Sequence, residues 1–275
     1  MKRVAAVQMD VAFGEVDKNA EQVIARIHRV KADGVDLAVF PECVLTGYCY
    51  NSRDEALSNA LPIDDPLFQR IAAACGESAL HVVVGFLERD GDRLFNAQAL
   101  ISEQGVVATY RKIHLPGLGV DRFADPGDRD FEVHAAGKFV SVWQFATTVR
   151  SRKHRVLGLM QADVIALSTN WPVAARRTAE IVPTARSMEN HLYFVAANRI
   201  GYERTFQFCG MSSIAGPDGI VLAETQADDD IILTADIDLS IARNKQIIRT
   251  IGAHVIDRFA DRRPERYQMI ADLKR

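Results

Sequence analysis

The polarity pattern of the first forty residues alternates between strand and helix. Val4–Met9 is a short run of β-forming residues. A segment with apolar residues at helical spacing follows, for which Asp17 is the predicted N-cap and Gly34 the end. A second apolar run, Asp36–Phe40, leads directly into Pro41 and Glu42. This order of strand, helix and strand predicts a layered sheet with helices packed on it.

The middle of the chain predicts a helix and then three neighbouring strands. Asp65 and Pro66 provide a cap and a first-turn proline, and Gly76 ends the helix that they begin. Short segments rich in Asp, Glu and Gly separate the apolar runs that follow. We expect antiparallel strands at His81–Leu87, Phe95–Ser102 and Val106–Ile113. The long loop after them, His114–Asp130, is typical of a functional segment.

Helix and strand patterns alternate again in the second half. A helical pattern at Val156–Met160 precedes an apolar strand at Val164–Ser168, and Ala174–His191 is a longer helix that Pro183 should kink or split. Further strands are expected at Tyr193–Asn198, Gly210–Ala215, Ile220–Ala223 and Ile231–Asp236, with a hairpin turn at Pro217-Asp218-Gly219. No linker or tandem repeat divides the chain, so we interpret residues 1–275 as a single domain.

The composition argues against several classes of partner. A chain of 275 residues, 48% of them hydrophobic, can bury a large core. The net charge of −3 and the dispersed Lys and Arg residues form no basic face for nucleic acid. No apolar run approaches a membrane span or a signal-peptide core, so we predict a cytoplasmic protein without a membrane partner. The four cysteines and seven histidines lack ligand spacing, and we expect reduced thiols and no metal site.

Two charged residues stand at the ends of predicted strands, where a side chain can reach a cleft. A carboxylate at Glu42, held after an apolar strand, can act as a general base if burial raises its pKa. Lys112, in the segment YRKIHLP, can supply positive charge to an oxyanion. Taken singly, either residue is also consistent with a solvated strand end, and only the combination is specific.

Six segments spread over nearly the whole chain carry a family signature. They read AAVQMD, VFPECVLTGY, YRKIHLPGLGVDRFADPGD, ADVIALSTNWP, ARSMENHLYFVAANRIG and the PDG turn. Together they resemble the nitrilase superfamily of carbon-nitrogen hydrolases. The resemblance implies an α/β fold, a four-layer αββα sandwich of two related halves. Members are commonly paired into dimers, so we expect a homodimer or a higher homo-oligomer.

The resemblance also implies roles for individual residues. Glu42 takes the position of the family's general base, and Lys112 takes that of its oxyanion-stabilising lysine. Asp121, in GVDRF, falls near the position where many members carry a second active-site acid. A loop-capping role fits Asp121 equally well.

Other residues of these segments are candidates for binding or for structure. Tyr48, Asn170 and Trp171 are candidates for the wall of the substrate pocket, although Trp171 is equally well explained as a core residue. Arg186 and Glu189, three positions apart on a predicted helix, match a family motif that we interpret as a structural ion pair.

The family's third catalytic residue, a cysteine, is absent from the written chain. It belongs to a motif resembling GVAICYDxxFPE, ahead of an arginine and an Ala-Asp-Val strand. Arg155 and the strand at Ala162–Val164 are present, and the family spacing places the cysteine at Phe145, whose ring cannot be a nucleophile. Cys43 adjoins Glu42, but the alternation of strand side chains predicts that it turns away from that carboxylate. The remaining cysteines match no nucleophile motif and are interpreted as packed residues.

A shifted reading frame recovers the missing motif from Phe139–His154. Val142–Val149 can be encoded as GTG TGG CAA TTT GCT ACG ACC GTN, and reading from the third base gives Val-Ala-Ile-Cys-Tyr-Asp-Arg. The residues that follow can yield Phe-Pro-Glu in the same frame. We therefore hypothesise two compensating frame changes, near Lys138 and near His154, either in the gene or in its sequence determination. The alternative is a diverged loop with no hidden motif.

The resemblance favours a hydrolase of non-peptide carbon–nitrogen bonds that needs no cofactor. With the cysteine present, Glu42 takes the thiol proton, the thiolate attacks the substrate carbon, and Lys112 stabilises the oxyanion. The context of YRKIHLP and VDRF favours a small-molecule amide as the substrate, with a nitrile as the alternative. Taken literally, a chain without the nucleophile is instead a nitrilase-fold protein that binds a small amide or a partner chain without turnover.

Overall fold

The computed structural model describes residues 1–137, 139–145 and 152–271, with the strand at 139–145 given by its backbone. The first part of the chain contains β1 (Lys2–Gln8), α1 (Val16–Ala32), β2 (Leu37–Val39), α2 (Arg53–Leu57), α3 (Pro66–Cys75), β3 (His81–Asp90), β4 (Arg93–Ser102) and β5 (Gly105–Arg111). A single 3-10 turn is assigned at Gly119–Arg122 in the loop that follows. Of the stretch Phe139–His154, on which the frame hypothesis rests, residues 146–151 lie outside the description.

The second part continues the alternation of strand and helix. It contains β6 (His134–Ala136), β7 (Phe139–Phe145), α4 (Arg152–Leu159), β8 (Val164–Thr169), α5 (Arg176–Asn190), β9 (Tyr193–Asn198), β10 (Tyr202–Glu203), β11 (Phe206–Gln207), β12 (Ser213–Ala215), β13 (Val221–Glu224), β14 (Ile231–Ile237), α6 (Leu239–Arg243), β15 (Gln246–Thr250), β16 (His254–Asp257) and α7 (Gln268–Ala271). Short 3-10 turns lie at Val173–Ala175 and Pro264–Arg266.

Two six-stranded sheets organise these elements. Their strand orders are β14-β1-β2-β3-β4-β5 and β13-β12-β9-β8-β7-β6. In each sheet a parallel trio, β1-β2-β3 or β7-β8-β9, is extended by antiparallel strands. The predicted antiparallel neighbours β3, β4 and β5 are confirmed. The two sheets therefore share one strand arrangement.

Alternation along the strands places most of the buried apolar residues in three layers of core. One set packs the first sheet against α1 and α3, and includes Val7, Val23, Ile27, Ile71 and Phe86. A second set lies between the two sheets and includes Val4, Val39, Val164 and Val195. A third packs the second sheet against α4 and α5, and includes Leu157, Val182 and Phe194. Because a strand presents successive side chains to opposite faces, this arrangement produces the expected αββα layers.

Local deviations from the predicted boundaries have tertiary causes. Asp17 is not the N-cap of α1 but lies in its first turn, where its charge complements the helix dipole. Pro183 does not split α5, which runs as one helix through it. Val182 and Pro183 are both buried, so packing against the second sheet offsets the hydrogen bond that the proline cannot donate. Among the helices described, none is long and apolar enough to cross a bilayer.

Gly85, in the middle of β3, allows the turn that carries Glu42 to lie directly on the sheet. A Cβ atom at this position would come within 2.6 Å of the Cys43 nitrogen and the Pro41 oxygen, and within 2.8 Å of the Glu42 Cα. The turn is also tied to β3 by the Leu45 N–H, which donates to the Gly85 carbonyl at 3.2 Å. A residue with a side chain therefore has no room here.

The substitution Gly85→Ala is expected to destabilise the protein by about 1–3 kcal/mol, because the added methyl group must displace backbone. Urea unfolding measures the change. Gly117→Ala is the matched control, since a Cβ there meets nothing within 4 Å, and its effect should stay within about 0.5 kcal/mol. Equal stability of the two variants would contradict the role assigned to Gly85.

Candidate functional site

Glu42 occupies the turn after β2 and is almost fully buried, at 2% exposure. Its Oε1 accepts hydrogen bonds from Lys112 Nζ at 2.6 Å and from Asn96 Nδ2 at 2.7 Å. A strand end held against a neighbouring strand fixes this carboxylate more firmly than a free loop would. The predicted strand-end position is therefore correct, and the side chain is not solvated.

Lys112 follows β5 and lies between two carboxylates. Besides its contact with Glu42, its Nζ donates to Asp121 Oδ2 at 2.7 Å. The Lys112 backbone N–H donates to the Asn96 carbonyl at 2.9 Å, which anchors the lysine to β4. Lys112 is 2% exposed, so the alternative interpretation, a solvated lysine at a strand end, is excluded.

Asp121 faces into this cluster from the loop after β5. Its Oδ2 also accepts from the Tyr48 hydroxyl at 2.7 Å, and its Oδ1 accepts from Asn96 Nδ2 at 2.8 Å. All of these hydrogen bonds lead into the Glu42–Lys112 cluster, and the side chain is 4% exposed. The geometry thus brings together Glu42, Lys112, Asp121 and Tyr48.

Asn96 was not anticipated from the sequence, although it links both carboxylates. It lies in β4, in the run RLFNAQALIS, where an amide interrupts a buried apolar strand. The residue is fully buried, and its Nδ2 donates to both Glu42 and Asp121. A buried polar residue within an apolar strand was the available signal, because such a group needs hydrogen-bond partners.

The charges of the cluster settle which group can accept a proton. Burial raises the pKa of Glu42 above its ordinary value; Lys112 opposes this rise, and the negative charge of Asp121 adds to it. Burial lowers the pKa of Lys112, but the attraction of Asp121 and Glu42 outweighs burial, and the net direction is upward. Lys112 therefore remains an ammonium, and the Glu42 carboxylate holds a proton more readily than an exposed glutamate does.

A cavity of about 270 Å³ opens above the cluster. Its wall is formed by Glu42, Tyr48, Lys112, Pro116, Leu118, Asn170, Trp171, Pro172, Ala175 and Thr178. Every predicted pocket residue except Asp121, which lies behind Lys112 and Tyr48, contributes to this wall. Trp171 also packs in the core of the second sheet, so both interpretations of it describe part of its environment.

Among the residues that the structure describes, Asn170 is the polar group of the cavity without a hydrogen-bond partner. It is 4% exposed, and neither its Oδ1 nor its Nδ2 makes a hydrogen bond within the residues that the structure describes. A buried amide without partners costs about 1–3 kcal/mol per group. An unpaired donor and an unpaired acceptor in the cavity wall suit a ligand that can both accept and donate hydrogen bonds.

Position 145 lies at the end of β7, at the same end of the second sheet's strands as Asn170. β7 runs parallel to β8, and Phe145, its last residue, pairs in register with Ser168, two residues before Asn170. The backbone therefore places the expected nucleophile position beside the strand that leads into the cavity wall. The residues after it, 146–151, fall in the undescribed gap.

Cys43 does not turn away from the Glu42 environment, and that prediction was wrong. Its Sγ donates to Asn96 Oδ1 at 3.4 Å, so the thiol and the Glu42 carboxylate share one amide partner. The alternation rule fails because both residues lie in a turn, where Cys43 has a φ of +49°. Burial, with the negative charges of Glu42 and Asp121, raises the pKa of the Cys43 thiol well above its usual value. Such a thiol is not a ready nucleophile.

Two other expectations concern residues away from the cavity. Arg186 and Glu189 form the predicted ion pair, with Nη1 and Oε2 2.5 Å apart. Arg155 reaches the same turn of α5 and donates to the Glu189 carbonyl at 2.8 Å. Cys49, Cys75 and Cys209 are buried free thiols. These residues stabilise the packing of α4 and α5 or fill core space.

Comparison with known proteins identifies the family of this chain. The family model described as carbon-nitrogen hydrolase matches residues 3–245. A nitrilase of Pyrococcus abyssi is 34% identical over 97% of this chain and 99% of its own length. An (R)-stereoselective amidase of Pseudomonas sp. is 29% identical over 82% of each chain. The amidase of Nesterenkonia sp. AN1 has the same fold, with a TM-score of 0.80 at 20% identity, covering 98% of this chain and all of that one.

Replacing Lys112 by Met should destabilise the protein by about 3–5 kcal/mol, because two buried carboxylates lose their counter-ion. The pKa of Glu42, already raised, rises further without the ammonium. The folded state then holds a proton that the unfolded chain has released, so stability falls as pH increases. Urea unfolding at pH 5 and pH 8 should show a larger loss at pH 8.

Lys2→Met is the control for this prediction. Lys2 pairs with Asp36 in the first sheet, and both side chains are partly exposed, at 21% and 19%. Loss of this pair should cost no more than about 1 kcal/mol. If Lys112→Met behaved like Lys2→Met at both pH values, the buried charge balance described here would be incorrect.

Proposed function

The chain belongs to the carbon-nitrogen hydrolase family, and we propose that within it the protein is a small-molecule amidase, which converts an amide to an acid and ammonia. The observation that carries this proposal is the cavity in which Glu42, Lys112 and the unpaired Asn170 meet. Relatives with amidase and nitrilase names are both present. The choice between them therefore rests on the chemistry of the cavity.

Asn170 supports an amide over a nitrile. An amide NH2 group can donate to Asn170 Oδ1, and its carbonyl can accept from Nδ2. A nitrile nitrogen only accepts, so the Asn170 carbonyl would stay buried without a partner. A site built for hydrogen bonding discriminates against an analogue that leaves its polar groups unpaired. Structures of the Nesterenkonia amidase include a complex with butyramide, a ligand of this chemical class.

The proposed reaction needs a thiol at the end of β7. We propose that the functional protein carries a cysteine there, as the shifted reading frame of Phe139–His154 provides. Glu42 accepts the thiol proton, and the thiolate forms a bond to the amide carbon while Lys112 and a backbone N–H stabilise the oxyanion. The proton passes to the leaving nitrogen, which departs as ammonia. Water, deprotonated by Glu42, then hydrolyses the thioester and restores the thiol.

The neighbourhood of position 145 supports this cysteine. Its register partner, Ser168, is buried, and the Ser168 hydroxyl has no hydrogen-bond partner in the described ranges. In the Nesterenkonia amidase, the acetamide moiety of fluoroacetamide is attached to an active-site cysteine. The second candidate function follows from the literal sequence: a protein with Phe145 binds a small amide in the cavity without turning it over.

We further propose that residues 1–275 form one cytoplasmic hydrolase domain that assembles as a homodimer. Apolar residues between the two sheets support a single domain, since neither inner sheet face is complete alone. Among residues described by the structure, the large exposed apolar side chains, other than Met1 and Val107, all lie beyond residue 155. Ile181 and Met188, seven positions apart on α5, lie on one face of that helix and are 42% and 45% exposed. We propose that a second copy of the chain covers these apolar side chains.

The amidase proposal is tested by gene sequencing, intact mass and ammonia release from a panel of small amides and their nitriles. We expect a mass that requires the shifted frame, turnover of the amides, and no turnover by the folded Glu42→Gln variant. The rate should fall as pH decreases through the raised pKa of Glu42, because only the carboxylate accepts a proton. A mass matching the written chain, without ammonia release, would refute the amidase and favour the protein that binds without turnover.

The homodimer is tested by size-exclusion chromatography with light scattering, which measures the molar mass of the eluted protein. Ile181→Asp places a charge on the exposed face of α5 and should shift the mass from twice 30.5 kDa toward 30.5 kDa. Val107→Asp, at a side chain 45% exposed on β5, is the matched control and should leave the dimer intact. A monomeric parent protein would refute the assembly.

A further inference from the structure

Glu203 is a buried carboxylate that the proposed reaction does not use directly. It ends β10 in the second half of the chain and is 3% exposed. Its Oε1 accepts the backbone N–H groups of Tyr48, at 2.7 Å, and of Cys49, at 2.5 Å. Two backbone amides from the first half thus converge on one oxygen from the second half. Few side chains besides a carboxylate can hold a loop in this way.

Arg199 fixes the other oxygen of this carboxylate. Arg199 Nη1 donates to Glu203 Oε2, and Nη2 donates to Asp10 Oδ1 at 3.0 Å and to the Val11 carbonyl at 3.1 Å. The guanidinium is fully buried and lies 4.3 Å from the centre of the Phe208 ring. A buried ion pair contributes little net stability compared with apolar packing. The main effect of the Arg199–Glu203 pair is therefore geometric, because it holds the Glu203 carboxylate in one orientation.

Tyr48 transmits this constraint to the charged cluster. Its hydroxyl donates to Asp121 Oδ2 at 2.7 Å, the oxygen that also accepts from Lys112 Nζ. The ring packs closely on Gly119, because a Cβ at that position would lie 2.2 Å from the Tyr48 Cε1. The Tyr48 carbonyl accepts from the Val120 N–H at 2.8 Å. Tyr48 thus contacts Glu203 through its backbone N–H, and it contacts the loop that carries Asp121 through its hydroxyl and its carbonyl.

We propose that Glu203 is a positioning residue for catalysis: it fixes the Tyr48 backbone so that the Tyr48 hydroxyl holds Asp121 against Lys112. The inference rests on the proposed function, in which Lys112 stabilises the oxyanion. It adds a residue from the second half of the chain, 91 positions beyond Lys112, to the groups that set the geometry of the reaction. Arg199 supports it by orienting the carboxylate.

Glu203→Gln isolates this role with almost no change in shape. The glutamine oxygen can face either the two amides or Arg199, but not both. In the first orientation its NH2 group meets the Arg199 donor, and in the second it meets the N–H groups of Tyr48 and Cys49. Either way, donors face donors in a buried site, and the loop is released.

The test combines hydrogen–deuterium exchange with a double-mutant cycle on the sequence-verified enzyme. Glu203→Gln should accelerate exchange at the Tyr48 and Cys49 amides and lower kcat/KM for a small amide by about 10- to 100-fold. Because Glu203 acts through the Tyr48 hydroxyl, its effect should largely disappear in a Tyr48→Phe background. Asp163→Asn is the matched control, since Asp163 is a buried carboxylate with two hydrogen bonds to Arg243; it should lower the melting temperature without lowering kcat/KM.

The outcomes separate this inference from the proposed function. Additive effects of Glu203→Gln and Tyr48→Phe, or a fall in kcat/KM for Asp163→Asn equal to that for Glu203→Gln, would overturn the positioning role and leave the amidase intact. If the parent enzyme releases no ammonia, the proposed function fails. Hydrogen–deuterium exchange alone then decides whether Glu203 constrains the Tyr48 and Cys49 backbone. Unchanged exchange at Tyr48 and Cys49 in Glu203→Gln then refutes the constraint, and faster exchange confirms it.

Discussion

A single buried ammonium between two carboxylates constrains the first half of this protein. Lys112 Nζ lies 2.6 Å from Glu42 Oε1 and 2.7 Å from Asp121 Oδ2, with each of these side chains less than 5% exposed. Removing such charges from water is costly, so their positions must be held by the surrounding fold. The turn after β2, the strand β4 and the loop after β5 each supply one contact. The side chain missing at Gly85 makes room for the turn.

The cavity above this cluster depends on both sheets. Glu42 and Lys112 come from the ends of strands in the first sheet, whereas Asn170 and Trp171 follow β8 in the second. Their meeting requires the two inner sheet faces to pack on each other, which the apolar residues of β1, β2, β8 and β9 achieve. The Glu203–Arg199 pair makes a second connection between the halves, through charge rather than apolar contact. Apolar packing thus brings the two walls of the cavity together, and polar contacts fix the position of one half of the chain on the other.

The written chain combines a complete charged cluster with an unsuitable residue at the nucleophile position. The register of β7 and β8 places position 145 beside the cavity wall, as the family resemblance implies. Cys43, the cysteine nearest Glu42 in sequence, is buried and has a raised pKa, so it does not replace the missing thiol. The protein therefore retains buried charges that are costly to maintain, while a phenylalanine is written at position 145. This combination is the reason for proposing that the functional protein carries a cysteine there.

The sequence by itself determined the alternating strands and helices, the strand-end positions of Glu42 and Lys112, and the family, because local periodicity and short motifs encode these features. It did not reveal Asn96 or Glu203, whose partners lie 54 and 155 positions away along the chain. Nor did it place Cys43 correctly, since strand alternation does not apply in a turn with positive φ. Contacts of this range arise only when distant strands pair within a sheet or when the two sheets pack on each other, so the tertiary structure alone decided which buried polar groups meet.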